Sequence, residues 1–254
     1  MSIGVYDSGI GGLTVYKAVA SHFKNLDMIY LGDCARVPYG NKSPETIVRY
    51  SLECSEYLVS KYNISALVVA CNTISSHALN ILHDKLHIPV LGVIQPGAAH
   101  AAHITKNGKI GVVATHATVK SGSYINAIKN INGSLKVFQQ ACPLFVPLVE
   151  EALVDGEMVE TVVRESLKDI LKTDIDTLIL GCTHYPVLRP VIQKVMPNVN
   201  IVDSTEYIIN DIDNLGIELN ETGLRRIFVT DESHAFHSLK NILVGDIPAK
   251  VVTI

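Results

Sequence analysis

The chain has 254 residues, 48% of them apolar and 18% charged, with a net charge of −4. That composition excludes a disordered or fibrous chain and suits well-buried sheets, while the acidic balance gives no electrostatic reason to bind nucleic acid or an anionic membrane. Five cysteines without C-x-x-C spacing exclude a disulfide framework and a structural zinc site, and fit reduced thiols in a cytoplasmic protein.

In chain order, a strand is expected over Ser2–Asp7, with neither a basic stretch nor an apolar signal core before it, so no export is expected. Strands follow at Asp27–Gly32, Ala66–Ala70 and Val90–Val93. Ser43-Pro44 places a capping hydroxyl before a proline suited to a first helical turn. In the helix that starts there, Ile47, Cys54 and Leu58 share one face, so Cys54 reads as a small core hydrophobe. The longest mostly apolar stretch, around Ile64 to Cys71, is far short of the ~20 residues of a membrane helix. Ser75 is a second expected helix cap. No low-complexity linker appears, which places the domain junction at the tight stretch Gln95-Pro96-Gly97.

The second half gives strands at Lys109–Ala114, Leu135–Gln140, Thr177–Leu180 and Asn200–Val202. A helix over Ser204–Leu215 with Ser204 as its cap, a strand over Arg226–Thr230 and a helix around His234–Leu243 follow. This tail extends the second domain or returns to the first; spacing leaves both open. Short β-rich runs alternating with helical ones predict an α/β chain with mostly parallel sheets flanked by helices.

The two halves look like degenerate copies. Ile3-Gly4-Val5 recurs as Ile110-Gly111-Val112, Val37-Pro38 as Val146-Pro147, Cys71 as Cys182, and Pro89-Val90-Leu91 as Asn200-Ile201-Val202, in the same order and at a nearly constant offset. Duplication predicts two similar α/β domains related by a pseudo-twofold.

In open parallel sheets the functional crevice lies beyond the carboxyl ends of the strands. Asp7-Ser8-Gly9, Gly32-Asp33-Cys34, Cys71-Asn72-Thr73 and Cys182-Thr183-His184 all fall there. A single strand-end cysteine is more often an inert buried thiol; two at equivalent places, each followed by hydrogen-bonding residues, reverse that expectation. Gly9, Gly11 and Gly12 invite a dinucleotide-binding reading, with Asp33 as the ribose acid, but the pattern fails at Thr14. The loop is read instead as backbone N–H groups suited to a carboxylate or to a tight turn. His77, His83, His100 and His103 lie on helical stretches and read as exposed or packed residues without function, whereas His184 stands two residues from Cys182. Glu150 and Glu151 follow an apolar run, with a solvated first helical turn as the competing reading. Cys34 and Cys142 read as packing residues. Arg36 pairs with a substrate carboxylate or with a neighbouring acid.

Two equivalent thiols facing one cleft suit a reaction nearly symmetric about its substrate. Inverting a stereocentre fits: one thiolate removes a proton while a thiol opposite returns one. A free cysteine pKa near ~8.5 makes both forms accessible. Asn72, Thr73, Thr183 and backbone N–H groups would stabilise the enolate-like carboxylate.

Asp7-Ser8-Gly9-Ile10-Gly11-Gly12, Gly32-Asp33-Cys34-Ala35-Arg36-Val37-Pro38-Tyr39-Gly40, Cys71-Asn72-Thr73, Phe145-Val146-Pro147-Leu148-Val149-Glu150-Glu151 and Gly181-Cys182-Thr183-His184-Tyr185-Pro186 together resemble the glutamate racemase family, from residue 3 to about 204. The resemblance implies a cofactor-independent, metal-free racemase that interconverts L- and D-glutamate and supplies D-glutamate for peptidoglycan. It implies Cys71 and Cys182 as the acid/base pair, with Asp7, Glu150 and His184 assisting. Asp7, Ser8, Tyr39, Gly40, Asn72, Thr73, Thr183 and His184 are implied to line the substrate site. It further implies a homodimer, a first domain of residues 1–97 and 208–254, and a second of residues 98–207. Three positions depart from the family pattern. Ile74 replaces a usual Ala, with a narrower pocket or altered loop packing expected; Cys34 replaces a usual Thr, adding a third thiol near the cleft; Gln95 replaces a usual Glu. An aspartate racemase or another amino-acid racemase of the superfamily is the nearest alternative, and an amino-acid-binding protein with structural thiols the alternative from another class.

Overall fold

The computed structural model describes residues 2–204, 207–232 and 234–254. Its first half alternates β1 (Ile3–Asp7), α1 (Leu13–His22), β2 (Met28–Gly32), α2 (Pro44–Tyr62), β3 (Ala66–Val69), α3 (Asn72–His77), α4 (Leu79–Leu86) and β4 (Val90–Gly92). The second half runs α5 (Ile94–Ile104), β5 (Lys109–Ala114), α6 (His116–Ser121), α7 (Ser123–Ile131), β6 (Lys136–Ala141), α8 (Phe145–Glu150), α9 (Glu157–Ser166), β7 (Thr177–Gly181), α10 (Arg189–Val195) and β8 (Asn200–Asp203). A tail adds α11 (Ile208–Asp213), β9 (Arg225–Val229), α12 (His234–Val244) and β10 (Ala249–Val251).

Every residue of β1, β2, β3 and β7 is buried. That is why their sequences run apolar without alternation: a parallel strand covered by helices on both faces has no solvent side. The helices are cut by local chemistry. Ser43 accepts a hydrogen bond from the Thr46 N–H, Pro44 opens α2, and Asn63 ends it in the left-handed conformation. Ile47, Ser51, Cys54, Ser55 and Leu58 form its buried stripe, and the Ser51 hydroxyl is satisfied by donating to the Ile47 carbonyl at 2.6 Å. Trimming Ile47 to Ala would cost about 2–5 kcal/mol, the usual range for an emptied core site.

All strand pairs are parallel. One sheet has the order β10-β9-β2-β1-β3-β4 and the other β6-β5-β7-β8. The second order repeats the β2-β1-β3-β4 part of the first, so the duplication is visible in topology. It is visible in packing too. A methyl on Gly4 of β1 would lie 2.5 Å from Ile64 Cδ1 and 3.3 Å from a Leu67 methyl. On Gly111 of β5 it would lie 2.5 Å from Ile175 Cδ1 and 3.0 Å from a Leu178 methyl. The same glycine lies under the same isoleucine–leucine pair twice. The tail joins the first sheet, with β9 against β2 and β10 outside it.

Several local expectations are corrected. Gln95-Pro96-Gly97 is the opening of α5, which packs on α7 and β7. Pro96 is tolerated there because first-turn N–H groups have no intrahelical partner. Ser75 is inside α3, its hydroxyl donating to the Val69 carbonyl at 3.1 Å. The tail helix starts at Ile208 with Tyr207 in the cap position, and the residues after Ser204 fall outside those described. β10 has three residues, two of them exposed, too short and too polar a run to be found from sequence. Among the described residues no helix is long and apolar enough to cross a membrane.

Candidate active site

The carboxyl ends of the central strands of both sheets face one cleft of about 270 Å³. From the first sheet come Ser8 after β1, Tyr39 and Gly40 beyond β2, and Cys71, Asn72 and Thr73 after β3; from the second come Thr115 after β5, Glu150 at the end of α8, and Cys182, Thr183 and His184 after β7. Of the eleven predicted site residues only Asp7 is absent from the wall.

Asp7 is fully buried behind it. Its Oδ1 accepts the Gly9 N–H at 2.9 Å, the Gly12 N–H also bonds the carboxylate, and Oδ2 accepts the Thr183 hydroxyl at 3.4 Å. The N–H groups of the glycine loop thus hold a carboxylate, and it is the chain's own. Burial raises the Asp7 pKa, opposed by His184 and by these hydrogen bonds. The loop is glycine because it is crowded: a methyl on Gly12 would meet Asp7 Cγ at 2.8 Å. The Gly9 and Gly12 N–H groups that a pyrophosphate would need are taken by Asp7, and Asp33 is consumed elsewhere. It accepts Arg36 Nε at 2.6 Å, the Thr230 hydroxyl at 2.8 Å and the Tyr39 hydroxyl. The dinucleotide reading therefore fails at both of its elements.

The two thiols sit in different surroundings. Cys71 is 6% exposed, with the Ser8 hydroxyl 3.4 Å from its sulfur. Burial and the nearby Asp7 charge push its pKa up to about 12, so it is a neutral thiol at pH 7. Cys182 has His184 Nδ1 3.9 Å from its sulfur. His184 Nε2 lies 3.4 Å from a Glu150 carboxylate oxygen, at ion-pair distance but off the N–H axis. Burial works against a His184 cation, but the Cys182 sulfur and the Glu150 carboxylate outweigh it and hold the imidazole pKa up at about 10. A proton is therefore stored beside Cys182 and on the sulfur of Cys71.

Several expectations about neighbouring residues change. Glu150 ends its helix instead of starting one, and Glu151 is exposed outside the cleft. Cys34 packs against the buried core, as expected, and as a third thiol does not line the cleft. Ile74 is fully buried in the core under β3, so it does not narrow the cleft, and Gln95 is exposed on α5. Arg36 faces acids: it binds Asp33 and Glu53 and lies 4.2 Å over the Tyr50 ring. His77 carries a contact between the halves, with Nε2 3.2 Å from the Ala117 carbonyl.

Sequence reasoning missed Thr115, Thr118 and Tyr124. The Thr73 hydroxyl lies 3.0 Å from that of Thr115 and 3.4 Å from that of Thr118. Thr115 is the strand-end counterpart of Ser8 in the repeat, which was a usable signal. The Tyr124 hydroxyl donates to Asn72 Oδ1 at 2.6 Å, joining residues distant in sequence with no local pattern to announce it. Among the described residues no lysine or arginine lines the cleft. An anionic substrate would be met by hydroxyls, amides, backbone N–H groups and histidine.

The family model described as Asp/Glu/Hydantoin racemase matches residues 3–212. The chain belongs to this family. It is 56% identical over 252 residues to a glutamate racemase of Sulfurihydrogenibium sp. (strain YO3AOP1), across 99% of this chain and 97% of that protein. A glutamate racemase isoform from Bacillus anthracis superposes with a TM-score of 0.94 at 38% identity, covering 100% of this chain and 97% of that one. The glutamate racemase of Francisella tularensis, solved with D-glutamate, superposes with a TM-score of 0.91 at 34% identity over 99% and 97% of the two chains. In this chain the thiols at the ends of β3 and β7 both open on the one cleft.

Proposed function

We propose that this chain is a glutamate racemase that interconverts L- and D-glutamate without a cofactor and supplies D-glutamate for peptidoglycan. The observation that carries the reading is that Cys71 and Cys182, at the ends of topologically equivalent strands, both line one cleft. The near-full-length identity to glutamate racemases supports glutamate over aspartate as substrate.

In this reading a thiolate takes the α-proton from one face, the electron pair moves into the substrate carboxylate as an enolate-like group, and the thiol opposite protonates the other face. One sulfur gains a proton and the other loses one, so each enantiomer requires the opposite starting pattern. Because the α-proton is far less acidic than a thiol, the barrier is lowered chiefly by donors to the developing enolate oxygens. Asn72, Thr73 and Thr183 supply them. Ser8, Tyr39 and Gly40 complete the substrate pocket. His184, held by Glu150, assists beside the Cys182 sulfur. Asp7 assists from behind the wall, through Thr183 and through its charge on Cys71.

The division into residues 1–97 with 208–254 and residues 98–207 is supported by which strands share a sheet, with α5 crossing the boundary. A cytoplasmic location is supported by five free thiols. A homodimer rests on the family resemblance, and light scattering on the purified chain checks it.

Circular dichroism of L-glutamate with enzyme dialysed against a chelator, and with no pyridoxal phosphate added, tests the function. Decay of the signal to zero is expected. Binding without decay would identify an amino-acid-binding protein instead.

A further inference from the structure

Tyr124 is fully buried on α7 and is not part of the cleft wall, yet it touches the immediate neighbours of both thiols. Its hydroxyl donates to Oδ1 of Asn72, the residue after Cys71. Its ring lies against the backbone of Gly181, the residue before Cys182, where a methyl group would come within 2.9 Å of Cε2. Gly181 is thus glycine so that this ring can reach across. On its other side the phenol oxygen bonds the Ser204 side chain.

A primary amide has an acceptor end and a donor end of nearly the same shape, so an unrestrained Asn72 can present either. Here Oδ1 is taken by Tyr124, and Nδ2 is buried with no partner among the described residues, in a side chain that lines the cleft. A buried amide N–H2 left without a partner is costly unless something else supplies an acceptor.

Resting on the racemase reading above, we infer that Tyr124 is a positioning residue: its hydroxyl locks the Asn72 amide so that the N–H2 end is the one offered to the substrate carboxylate. With the amide reversed, a carbonyl oxygen would face a carboxylate that gains negative charge as the α-proton leaves. The donor end does the opposite, and its bond strengthens as the charge develops. The effect of Tyr124 therefore falls on turnover more than on binding.

Tyr124→Phe keeps the ring against Gly181 and removes only the hydroxyl. Racemisation is measured for Tyr124→Phe, Asn72→Ala and the double variant, with thermal unfolding of each. Tyr124→Phe is expected to lower kcat about 10- to 100-fold with KM changed by less than about threefold, as for loss of an interaction realised in the transition state. In the Asn72→Ala background the same change is expected to have no further effect, because its route runs through the amide. Ser204→Ala, which leaves the phenol in place, is expected to lower kcat less and in the same sense. Full activity of Tyr124→Phe beside a crippled Asn72→Ala would overturn the inference and leave the racemase reading standing. Multiplying losses in the double variant would assign Tyr124 a general structural role and overturn it equally. Absence of racemisation in the wild type itself would remove the racemase reading instead.

Discussion

A methyl group on Gly11 would lie 2.5 Å from Nδ1 of His184, so the loop after β1 and the loop after β7 meet with no space for a side chain between them. The same methyl would also press on the Thr183 hydroxyl. This close contact between the two halves ties the geometry of His184 and Cys182 to the loop that holds Asp7.

Gly11→Ala is therefore expected to push the loops apart. Overpacking of this kind costs about 1–3 kcal/mol in stability, and displacing His184 from Cys182 should lower kcat at least about tenfold, since misplacement by an ångström is enough for such losses. Gly133→Ala is the control, its nearest neighbour standing 3.9 Å from the added methyl. Steady-state kinetics and thermal unfolding of the pair check this. Equal behaviour of the two variants would show that the loop contact is not required.

His184 makes stability depend on pH in a defined sense. Its pKa is held at about 10 in the folded chain, above the ordinary imidazole value of about 6.5. Between those values the folded state keeps a proton that the unfolded state has lost, so this contribution is complete below about pH 6.5 and disappears as pH rises through about 10. The raised thiol pKa values of Cys54, Cys71 and Cys142 also weaken the fold at high pH, because unfolding lets them ionise. The measurement is therefore a difference. The gap in melting temperature between wild type and His184→Asn should shrink steadily from pH 6.5 to 10, and a gap that is constant or widens would contradict the assignment.

Cys71 should behave as a reluctant nucleophile. With a pKa of about 12 its thiolate fraction at pH 7.5 is below about one in ten thousand, so alkylation by iodoacetamide should be at least about a hundredfold slower than for an exposed cysteine. The rate at this peptide, followed by mass spectrometry, should climb tenfold per pH unit from 6 to 9 without a plateau. A plateau near pH 8 would mean that the thiol is less perturbed than burial and Asp7 make it.

The glutamate assignment requires discrimination by side-chain length. Polar groups in the cleft that reach the distal carboxylate of glutamate would be left unpaired by aspartate, at about 1–3 kcal/mol for each. The expected kcat/KM for L-aspartate is accordingly at least about tenfold below that for L-glutamate. Equal values would redirect the assignment to a broader amino-acid racemase.

What the sequence made legible was whatever repeats or sits beside a strand end. Gly4 and Gly111 announce the duplication because the same packing demand acted on both, and Cys71 and Cys182 announce the cleft because the chain turns sharply from apolar to polar at the end of a buried strand. Asp7 was found for the same reason, but its place behind the wall was not, since burial depends on the facing loop. Cys34 packs as its isolation in sequence predicts, whereas Ile74 does not narrow the pocket although it neighbours cleft residues, because one step along a helix turns a side chain from the site to the core. Tyr124 had no local signature at all. Its role exists only through Asn72 and Gly181, which lie in different halves of the chain and meet it in space alone.

The two-thiol mechanism has the sharpest test. If each sulfur serves one face, Cys71→Ser and Cys182→Ser should each lower racemisation by several orders of magnitude while melting temperatures change little, because a hydroxyl is too weakly acidic to replace the missing partner. Since the enantiomers are equal in free energy, kcat/KM must fall equally in both directions in either variant, and turnover alone cannot tell the two faces apart. Isotope exchange can. In heavy water the wild type should place deuterium at the α-carbon of the inverted product, with little initial exchange in recovered substrate. Each variant keeps one working thiol, so Cys71→Ser should wash out the α-proton of one enantiomer without inverting it, and Cys182→Ser that of the other. Proton NMR of D- and L-glutamate incubated separately with each variant reads this directly. Wash-out of the same enantiomer by both variants, or full racemisation by either, would mean that Cys71 and Cys182 do not divide the two faces between them.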